Sequence, residues 1–170
     1  MSSAQAAGSK LESCRFPSPP DKIVKTTSLL LLLAALSLPA LAQPSCADAA
    51  AQANRQSGNK LDTAELSEAL LSLNRDGRLP DKFVTKRQAQ DAGWKPGRSL
   101  WSVPALKGKS IGGDRFGNYE KRLPAGKWQE ADLNYKGGKR GAYRLVFSKQ
   151  GLRYVSVDHY NNFIEVAPCR

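Results

Sequence analysis

Apolar and polar residues alternate in the last third of the chain, and this pattern predicts a β-hairpin. We expect one strand over Trp128–Tyr135, a glycine turn at Gly137–Gly138 and a return strand over about Ala142–Phe147. A two-residue Gly-Gly turn is the commoner hairpin connection, but here it mixes the apolar and polar faces. An odd-length loop keeps the faces apart and pairs Glu130 with Arg144, so it is favoured.

Upstream of the hairpin the apolar residues follow a helical period. Leu66, Leu70 and Leu73 form an apolar stripe in a helix that we expect to begin after Asp62 and to end at Gly77. A second helix is expected to begin at Thr85, with Gln88 completing a capping box, and to stop at Gly93. Further strands are expected at 152–158 and 163–166. The order predicts an α+β fold over residues 61–170, with N-terminal helices packed on a twisted antiparallel β-sheet.

The first 42 residues have the pattern of an export leader. The short apolar run Leu29–Leu36 follows Lys22 and Lys25 and precedes the small-residue cleavage pattern at 40–42. A retained transmembrane anchor is the alternative, although the run is short for a bilayer. We therefore expect a secreted protein without a membrane anchor, with a flexible arm at 43–60 ahead of the folded domain. A monomer is the default for a domain of this size.

The chain is strongly basic, with a formal net charge of +11 at pH 7. The leader holds four of the 26 basic and two of the 15 acidic residues, which leaves +9 on residues 43–170. An exported protein with this charge is suited to a polyanion, such as nucleic acid, an anionic membrane or an acidic glycan. Basic charge that only aids solubility is the alternative.

Two cysteines, Cys46 and Cys169, remain after the leader. In an exported protein we expect them to form a disulfide. Free thiols are a weaker alternative, and a metal site is weaker still because neither cysteine has a neighbouring Cys or His.

Three further features suggest chemistry, each with a simpler alternative. The glycine-rich segment Ser110–Glu120 predicts a bent backbone with open amides, and it lacks P-loop and dinucleotide-fold spacings. Lys86 lies at a helix N-terminus, which is either a phosphate site or a tolerated solvated cation. His159, the only histidine, is either structural or an acid catalyst. The Glu130–Arg144 pair, taken alone, is typical of a solvated sheet face.

Taken together, these segments resemble the barnase family of small secreted guanyl-preferring ribonucleases over about residues 61–166. The resemblance rests on the following motifs: LPD at 79–81, TK at 85–86, GW at 93–94, KSIGGD at 109–114, FxN at 116–118 with Glu120, WxEAD at 128–132, NY at 134–135, Arg140, Arg144 and DHY at 158–160.

The resemblance implies that Glu130 is a general base and His159 a general acid, and that Lys86, Arg140 and Arg144 bind the scissile phosphate. RNA supplies its own nucleophile, the 2′-hydroxyl, so this chemistry requires one base and one acid. It implies no metal and no cofactor, and makes RNA the partner.

The resemblance also assigns a base-binding site. Asn118 and Glu120 match positions that hold guanine, and Tyr160 matches a residue that stacks near the base. The sequence departs from the family at Gly117, which replaces a serine, and at Tyr119, which replaces an arginine that contacts substrate phosphate and inhibitor. The resemblance implies an acidic, barstar-like intracellular inhibitor, and the loss of this arginine would remove one of its main contacts.

Two other functions fit parts of the sequence. A catalytically silent basic nucleic-acid-binding protein would use the charge and the Tyr119 and Tyr160 rings, but it would need neither Glu130 nor His159. A membrane-active protein would need a cationic amphipathic helix, and none stands out after Ala42. An endoribonuclease accounts for the whole set of residues.

Overall fold

The structure is a computed structural model that describes residues 42–170. The predicted leader therefore lies, except for Ala42, outside the described residues. The elements in chain order are α1 Cys46–Gln56, α2 Thr63–Asp76, β1 Phe83–Val84, α3 Lys86–Asp91, β2 Ser110–Phe116, β3 Trp128–Asp132, β4 Arg144–Ser148, β5 Arg153–Ser156 and β6 Ile164–Glu165. Across this part of the chain, the helices are too short or too polar to span a bilayer.

The six strands form one sheet in the order β1-β2-β3-β4-β5-β6. The first pair is parallel, and every later pair is antiparallel. The predicted α+β architecture is confirmed, with β5 and β6 at the positions expected for the last two strands. Only the short β1 departs from the antiparallel pattern, because α3 carries the chain from β1 back to the start of β2.

Helix α1 replaces the flexible arm that the sequence predicted before residue 61. Ser45 caps it by accepting a hydrogen bond from the Asp48 amide at 3.1 Å, and Ala49, Ala50 and Ala53 are fully buried. Alanine has the highest helix propensity and costs no side-chain entropy, so this segment folds once it has a surface to pack on. The arm prediction was wrong because polar neighbours hid this alanine face.

The other two helices begin where the sequence predicted. Asp62 caps α2 by accepting from the Glu65 amide at 3.1 Å, but the Glu65 carboxylate accepts from the Asn134 amide instead of closing a capping box. Only half of a capping box is therefore present at α2. At α3 the Thr85–Gln88 capping box is complete.

The hairpin β3–β4 has the predicted faces but a different register. Asp132, not Glu130, lies opposite Arg144, and Glu130 lies opposite Val146. The shift is two residues, so the paired side chains of β3 and β4 stay on their predicted faces. Residues 133–135, which the sequence placed in the first strand, lie beyond its end at Asp132. The predicted pairing of Glu130 with Arg144 was wrong because Arg144 lies opposite a residue of β3 that is closer to the loop. That residue is Asp132, which forms an ion pair with Arg144.

The glycine-rich segment that the sequence assigned to a bent loop is mostly strand β2. Gly112 pairs with Ala131, and a Cβ at Gly112 would come within 2.8 Å of Phe83 and 2.9 Å of Ala131. This glycine therefore permits close packing rather than a turn. Gly113, with φ of 92°, marks a β-bulge in the β2–β3 pair.

The two faces of the sheet carry different cores. Helices α1 and α2 cover one face, where Leu66, Leu70, Leu145 and Val155 are fully buried. A smaller cluster around Trp128 and other aromatic residues covers part of the opposite face. Glu130 lies on that second face, beside Trp128 and Val146, so the helical layer supports the site from behind.

Cys46 and Cys169 form the predicted disulfide, with Cα atoms 4.9 Å apart. The Cys46 amide donates to the Arg170 carbonyl at 3.2 Å, and the Arg170 amide donates to the Pro44 carbonyl at 3.0 Å. The bond fastens the start of α1 to the C-terminal segment, away from Glu130.

Candidate active site

A cavity of about 390 Å³ opens on the second face of the sheet, between the 117–123 loop and the 158–162 turn. Six of the residues that the sequence assigned to the site line it: Asn118, Tyr119, Glu120, Glu130, His159 and Tyr160. The predicted general base and general acid therefore share one cavity with the residues predicted to bind guanine.

Glu130 lies on β3 and is only 8% exposed. Its Oε1 accepts a hydrogen bond from Lys86 Nζ at 2.9 Å, and its Oε2 accepts from the Tyr160 hydroxyl at 2.6 Å. A carboxylate that is held from both oxygens has a fixed orientation, and Lys86 places a cation beside it. An ionised, oriented carboxylate can accept a proton from a hydroxyl group in the cavity.

Tyr160 connects Glu130 to Arg144, which is a role that the sequence did not reveal. Its hydroxyl donates to Glu130 and accepts from Arg144 Nε at 2.8 Å. Burial and the bond to Glu130 raise the pKa of Tyr160 above its ordinary value. Its ring stacks on Phe116 with centroids 5.1 Å apart, so one face of the ring that was expected to stack near the base is already covered.

Asp132 holds the two arginines of the predicted phosphate site. Arg140 donates to it through Nε at 2.5 Å and Nη2 at 2.7 Å, and Arg144 Nε lies 3.2 Å from its Oδ1. The hydrogen bonds that Arg140 donates to Asp132 raise the pKa of Arg140. Asp132 and Arg144 have side chains only 3% and 4% exposed, so this pair is a buried anchor rather than a solvated surface pair.

Lys86 is placed by the start of α3. Its backbone amide donates to Asp114 Oδ2 at 2.9 Å, so a carboxylate of the protein already occupies this helix N-terminus. The sequence left a phosphate site and a tolerated cation as alternatives here, and the Lys86 amide is already bonded within the protein. The lysine side chain remains at the site, where it contacts Glu130.

His159 lies in a tight turn after β5, with φ of 56°. Its amide donates to the Ala142 carbonyl at 3.1 Å, and its ring is exposed at the cavity. Asp158 braces the turn by accepting from Ser156 Oγ at 2.9 Å and from the Asn162 amide at 3.0 Å. The bonds from Asn162 lower the pKa of Asp158. The turn thus presents the imidazole to the cavity from a braced backbone.

The opposite wall is the 117–123 loop. Asn118 closes it, since its side chain donates to the Leu123 carbonyl at 2.8 Å and accepts from the Leu123 amide at 3.0 Å. Its side chain therefore shapes the loop and is not free for a base. Glu120 is largely exposed and accepts from Arg122 Nε at 2.5 Å. Arg122 also donates to the Asn161 carbonyl and so links the loop to the His159 turn.

The two departures from the family pattern fit one another. Tyr119 is 90% exposed. An added Cβ at Gly117 would collide with the Tyr119 ring. The glycine therefore leaves room for the conformation of the tyrosine.

The predicted phosphate-binding cations lie behind the proposed base. Lys86 contacts Glu130 directly, Arg144 reaches it through Tyr160, and Arg140 is joined to Arg144 by Asp132. The sequence did not assign Asp132 to the site. Its position two residues after Glu130, on the same face of a strand, was the available signal.

The chain is similar in sequence to known ribonucleases. A family model described as ribonuclease matches residues 68–167, which contain every one of these cavity and cation residues. A ribonuclease of Heyndrickxia coagulans is 47% identical over 92 residues, which are 52% of this chain and 84% of that protein. Ribonucleases of Bacillus intermedius and Bacillus pumilus are each 47% identical over 92 residues, also 52% of this chain but only 56% of each relative.

Proposed function

This chain belongs to the microbial ribonuclease family of barnase type and is an RNA-cleaving enzyme, and we propose that it is a metal-independent endoribonuclease that cleaves single-stranded RNA after guanosine. The observation that carries the proposal is the placement of Glu130 and His159 on one cavity, with Glu130 held by Lys86 and Tyr160. A silent nucleic-acid-binding protein, the rival function, has no use for this arrangement.

The reaction follows from the two groups. Glu130 accepts the proton of the ribose 2′-hydroxyl as the 2′ oxygen attacks phosphorus, and protonated His159 donates a proton to the departing 5′ oxygen. The bond between phosphorus and the 5′ oxygen breaks, which leaves a 2′,3′-cyclic phosphate. Hydrolysis of the cyclic product reverses the roles, with His159 accepting a proton from water and Glu130 returning one to the 2′ oxygen.

The cations stabilise the negative charge that develops on the phosphoryl oxygens. Lys86, Arg140 and Arg144 are fixed by Glu130, Asp132 and Tyr160 before substrate arrives. Cations that need no reorganisation stabilise a transition state most effectively, and the guanidinium fork of arginine suits two phosphoryl oxygens at once.

Guanine preference is assigned to the 117–123 loop. The Glu120 carboxylate lines the cavity and is exposed to a ligand. Guanine presents two neighbouring N–H donors on its Watson–Crick edge, and a carboxylate can accept from both. Adenine offers no such pair, so this contact distinguishes the two purines.

The biological setting is proposed from the sequence. The leader pattern of residues 1–42 supports secretion after cleavage near Ala42, and the disulfide is suited to an oxidising compartment. We assign the mature enzyme as a monomer. An acidic intracellular inhibitor would protect the producing cell, and it would dock on the 117–123 loop without the cation that Tyr119 replaces.

The test is digestion of a defined RNA in EDTA by residues 43–170 and by Glu130→Ala and His159→Ala. We expect cleavage after guanosine with a cyclic phosphate end, and a loss of about 100-fold to 10,000-fold in each variant. Glu165→Ala, an exposed carboxylate on β6, is the matched control and should keep full activity. RNA binding without cleavage, or activity indifferent to either substitution, would reject the mechanism.

A further inference from the structure

A second cavity of about 820 Å³ lies at the end of the sheet, next to the one that holds Glu130. Arg115, Phe116 and Gly117 line both cavities and form the wall between them. The aromatic ring of Phe116 belongs to the cluster around Trp128, which also lines the second cavity. A polymer that occupies the first cavity can therefore continue over this wall into the second.

Three cations surround the second cavity. Arg115 lies near the end of β2, Lys127 precedes Trp128 of β3, and Lys149 follows Ser148 of β4. Trp128 pairs with Ser148, so the two lysines leave the sheet at the same end. All three side chains are exposed.

These cations are not neutralised by the rest of the described chain. Among residues 42–170, the ion pairs involve Lys82, Lys86, Lys136 and the arginines at 75, 122, 140 and 144, and none of the three. No Asp or Glu is among the described residues that line the cavity. Its charge is thus available to an external anion.

We propose that this surface, Arg115 with Lys127 and Lys149, is a further substrate subsite that binds backbone phosphates of the RNA chain beyond the nucleotides held at Glu130 and Glu120. The inference rests on the proposed function, since it takes RNA as the polymer. Single-stranded RNA carries a regularly spaced row of negative charges, which suits cations grouped at one end of a sheet. The enzyme would therefore favour long RNA over dinucleotides.

An acidic protein is the competing occupant. The continuity of the wall favours RNA, because a strand whose nucleotide lies in the first cavity delivers its next phosphates to this end of the sheet. The mixed lining also fits, since Phe116 and Gln129 offer apolar and amide contacts to sugar and base.

The first measurement is the salt dependence of binding to a twelve-nucleotide DNA of thymidines with one guanosine, which lacks the 2′-hydroxyl. The variant is Arg115→Gln with Lys127→Gln and Lys149→Gln. The control is Arg55→Gln with Lys95→Gln and Lys107→Gln, which removes the same charge from exposed sites outside this cavity. We expect the slope of log affinity against log salt to fall by about 2 in the variant, at roughly 0.7 per phosphate contact.

The second measurement is cleavage of the dinucleotide GpU and of a twelve-nucleotide RNA with one guanosine. For cleavage the variant is Lys127→Gln with Lys149→Gln, because Arg115 also lines the cavity of Glu130. We expect it to lose about tenfold in kcat/KM on the longer RNA, as ordinary phosphate contacts would supply, and to keep its activity on GpU. If the native protein cleaves neither substrate, the proposed function fails, while the DNA slope still decides the subsite.

Three results would overturn the proposal. They are an unchanged slope in the variant, an equal fall in the control, and polyglutamate binding that depends on the same three cations as strongly as DNA binding does. The last result would assign the surface to an acidic protein.

Discussion

The sheet behind the cavity and the loop at its edge are built in opposite ways. Glu130, Asp132 and Arg144 lie on adjacent strands and are each at most 8% exposed, and Tyr160 links Glu130 to Arg144, which pairs with Asp132. The 117–123 loop carries its ligand-facing side chains in solvent, and Tyr119 is almost fully exposed. Inside its own span, that loop is closed mainly by Asn118 and by the Arg122–Glu120 pair.

Under the proposed function, this difference separates chemistry from recognition. Proton transfer tolerates little displacement of the reacting groups, so the base belongs on a rigid sheet that is backed by a helical layer. Recognition of a base tolerates adjustment and belongs on a loop that a rigid scaffold supports. Substitutions in the sheet should therefore affect stability and kcat, whereas substitutions in the loop should affect KM.

The largest effect should come from Asp132→Asn. Removal of this carboxylate leaves Arg144 buried without its counter-ion, and a broken buried pair costs about 3–5 kcal/mol. Urea unfolding measures the loss in free energy of unfolding. Asp76→Asn, which breaks an exposed pair with Arg75, is the control and should leave the free energy of unfolding nearly unchanged. Equal effects of the two substitutions would contradict the buried anchor.

Tyr160→Phe should have the next largest effect, and it should act on kcat. The substitution keeps the ring on Phe116 but removes the hydroxyl between Glu130 and Arg144. The loss of one hydrogen bond to a charged group corresponds to roughly 1.5–2 kcal/mol, or about 10-fold to 30-fold in kcat. Steady-state kinetics on GpU separates kcat from KM. A change confined to KM would mean that Tyr160 serves only to stack near the base.

The raised pKa of Tyr160 predicts that stability depends on pH in the alkaline range. Because the folded protein raises the pKa of Tyr160 above its ordinary 10.0, this group's contribution to stability is complete below about pH 10 and is lost as pH rises toward the folded value. The urea midpoint of the native protein should therefore fall as the pH rises above about 10, and less so in Tyr160→Phe. Tyr154→Phe removes another tyrosine with a raised pKa. Its urea midpoint should still show most of the alkaline fall, because Tyr160 is present. Identical curves for the native protein and Tyr160→Phe would be evidence against the bond to Glu130.

The smallest effect should come from Asn118→Ala in the loop. It removes two hydrogen bonds to Leu123 and places alanine at a φ of 44°, so the loop loosens at a cost of about 1–2 kcal/mol. We expect KM for GpU to rise about fivefold to 20-fold with kcat kept within about twofold. Asn59→Ala, at another positive φ outside the cavity, controls for backbone strain. A fall in kcat as large as that of Tyr160→Phe would contradict the distinction between the sheet and the 117–123 loop.

The faces of the hairpin were predictable from sequence, but its register was not. Alternation with a period of two fixes which side chains share a face, and it does so for Glu130 and Asp132 alike. Both are carboxylates two residues apart, so the pattern cannot tell which one meets Arg144. Burial of Asp132 between two arginines decides the register, and burial is a property of the assembled sheet.

Two other segments show the same limit. Gly112 was assigned to a loop because glycine is common in turns. The structure requires glycine there for another reason, which is the close approach of Phe83 and Ala131 from distant parts of the chain. Helix α1 was missed because its alanine face gains stability only against α2 and the sheet. The candidate site residues could be predicted from motifs. The hydrogen bonds of the Tyr160 hydroxyl to Glu130 and Arg144 could not, because they depend on the assembled fold.

The bond between Cys46 and Cys169 closes residues 46–169 into a covalent ring. The family match at 68–167 stops short of both cysteines, so the fastening lies outside the matched core. A protease that cuts one peptide bond within the exposed 119–122 segment would open the ring without releasing either piece. The nicked enzyme would run as two fragments only after reduction, and would keep its sheet and its disulfide-bound ends together until then.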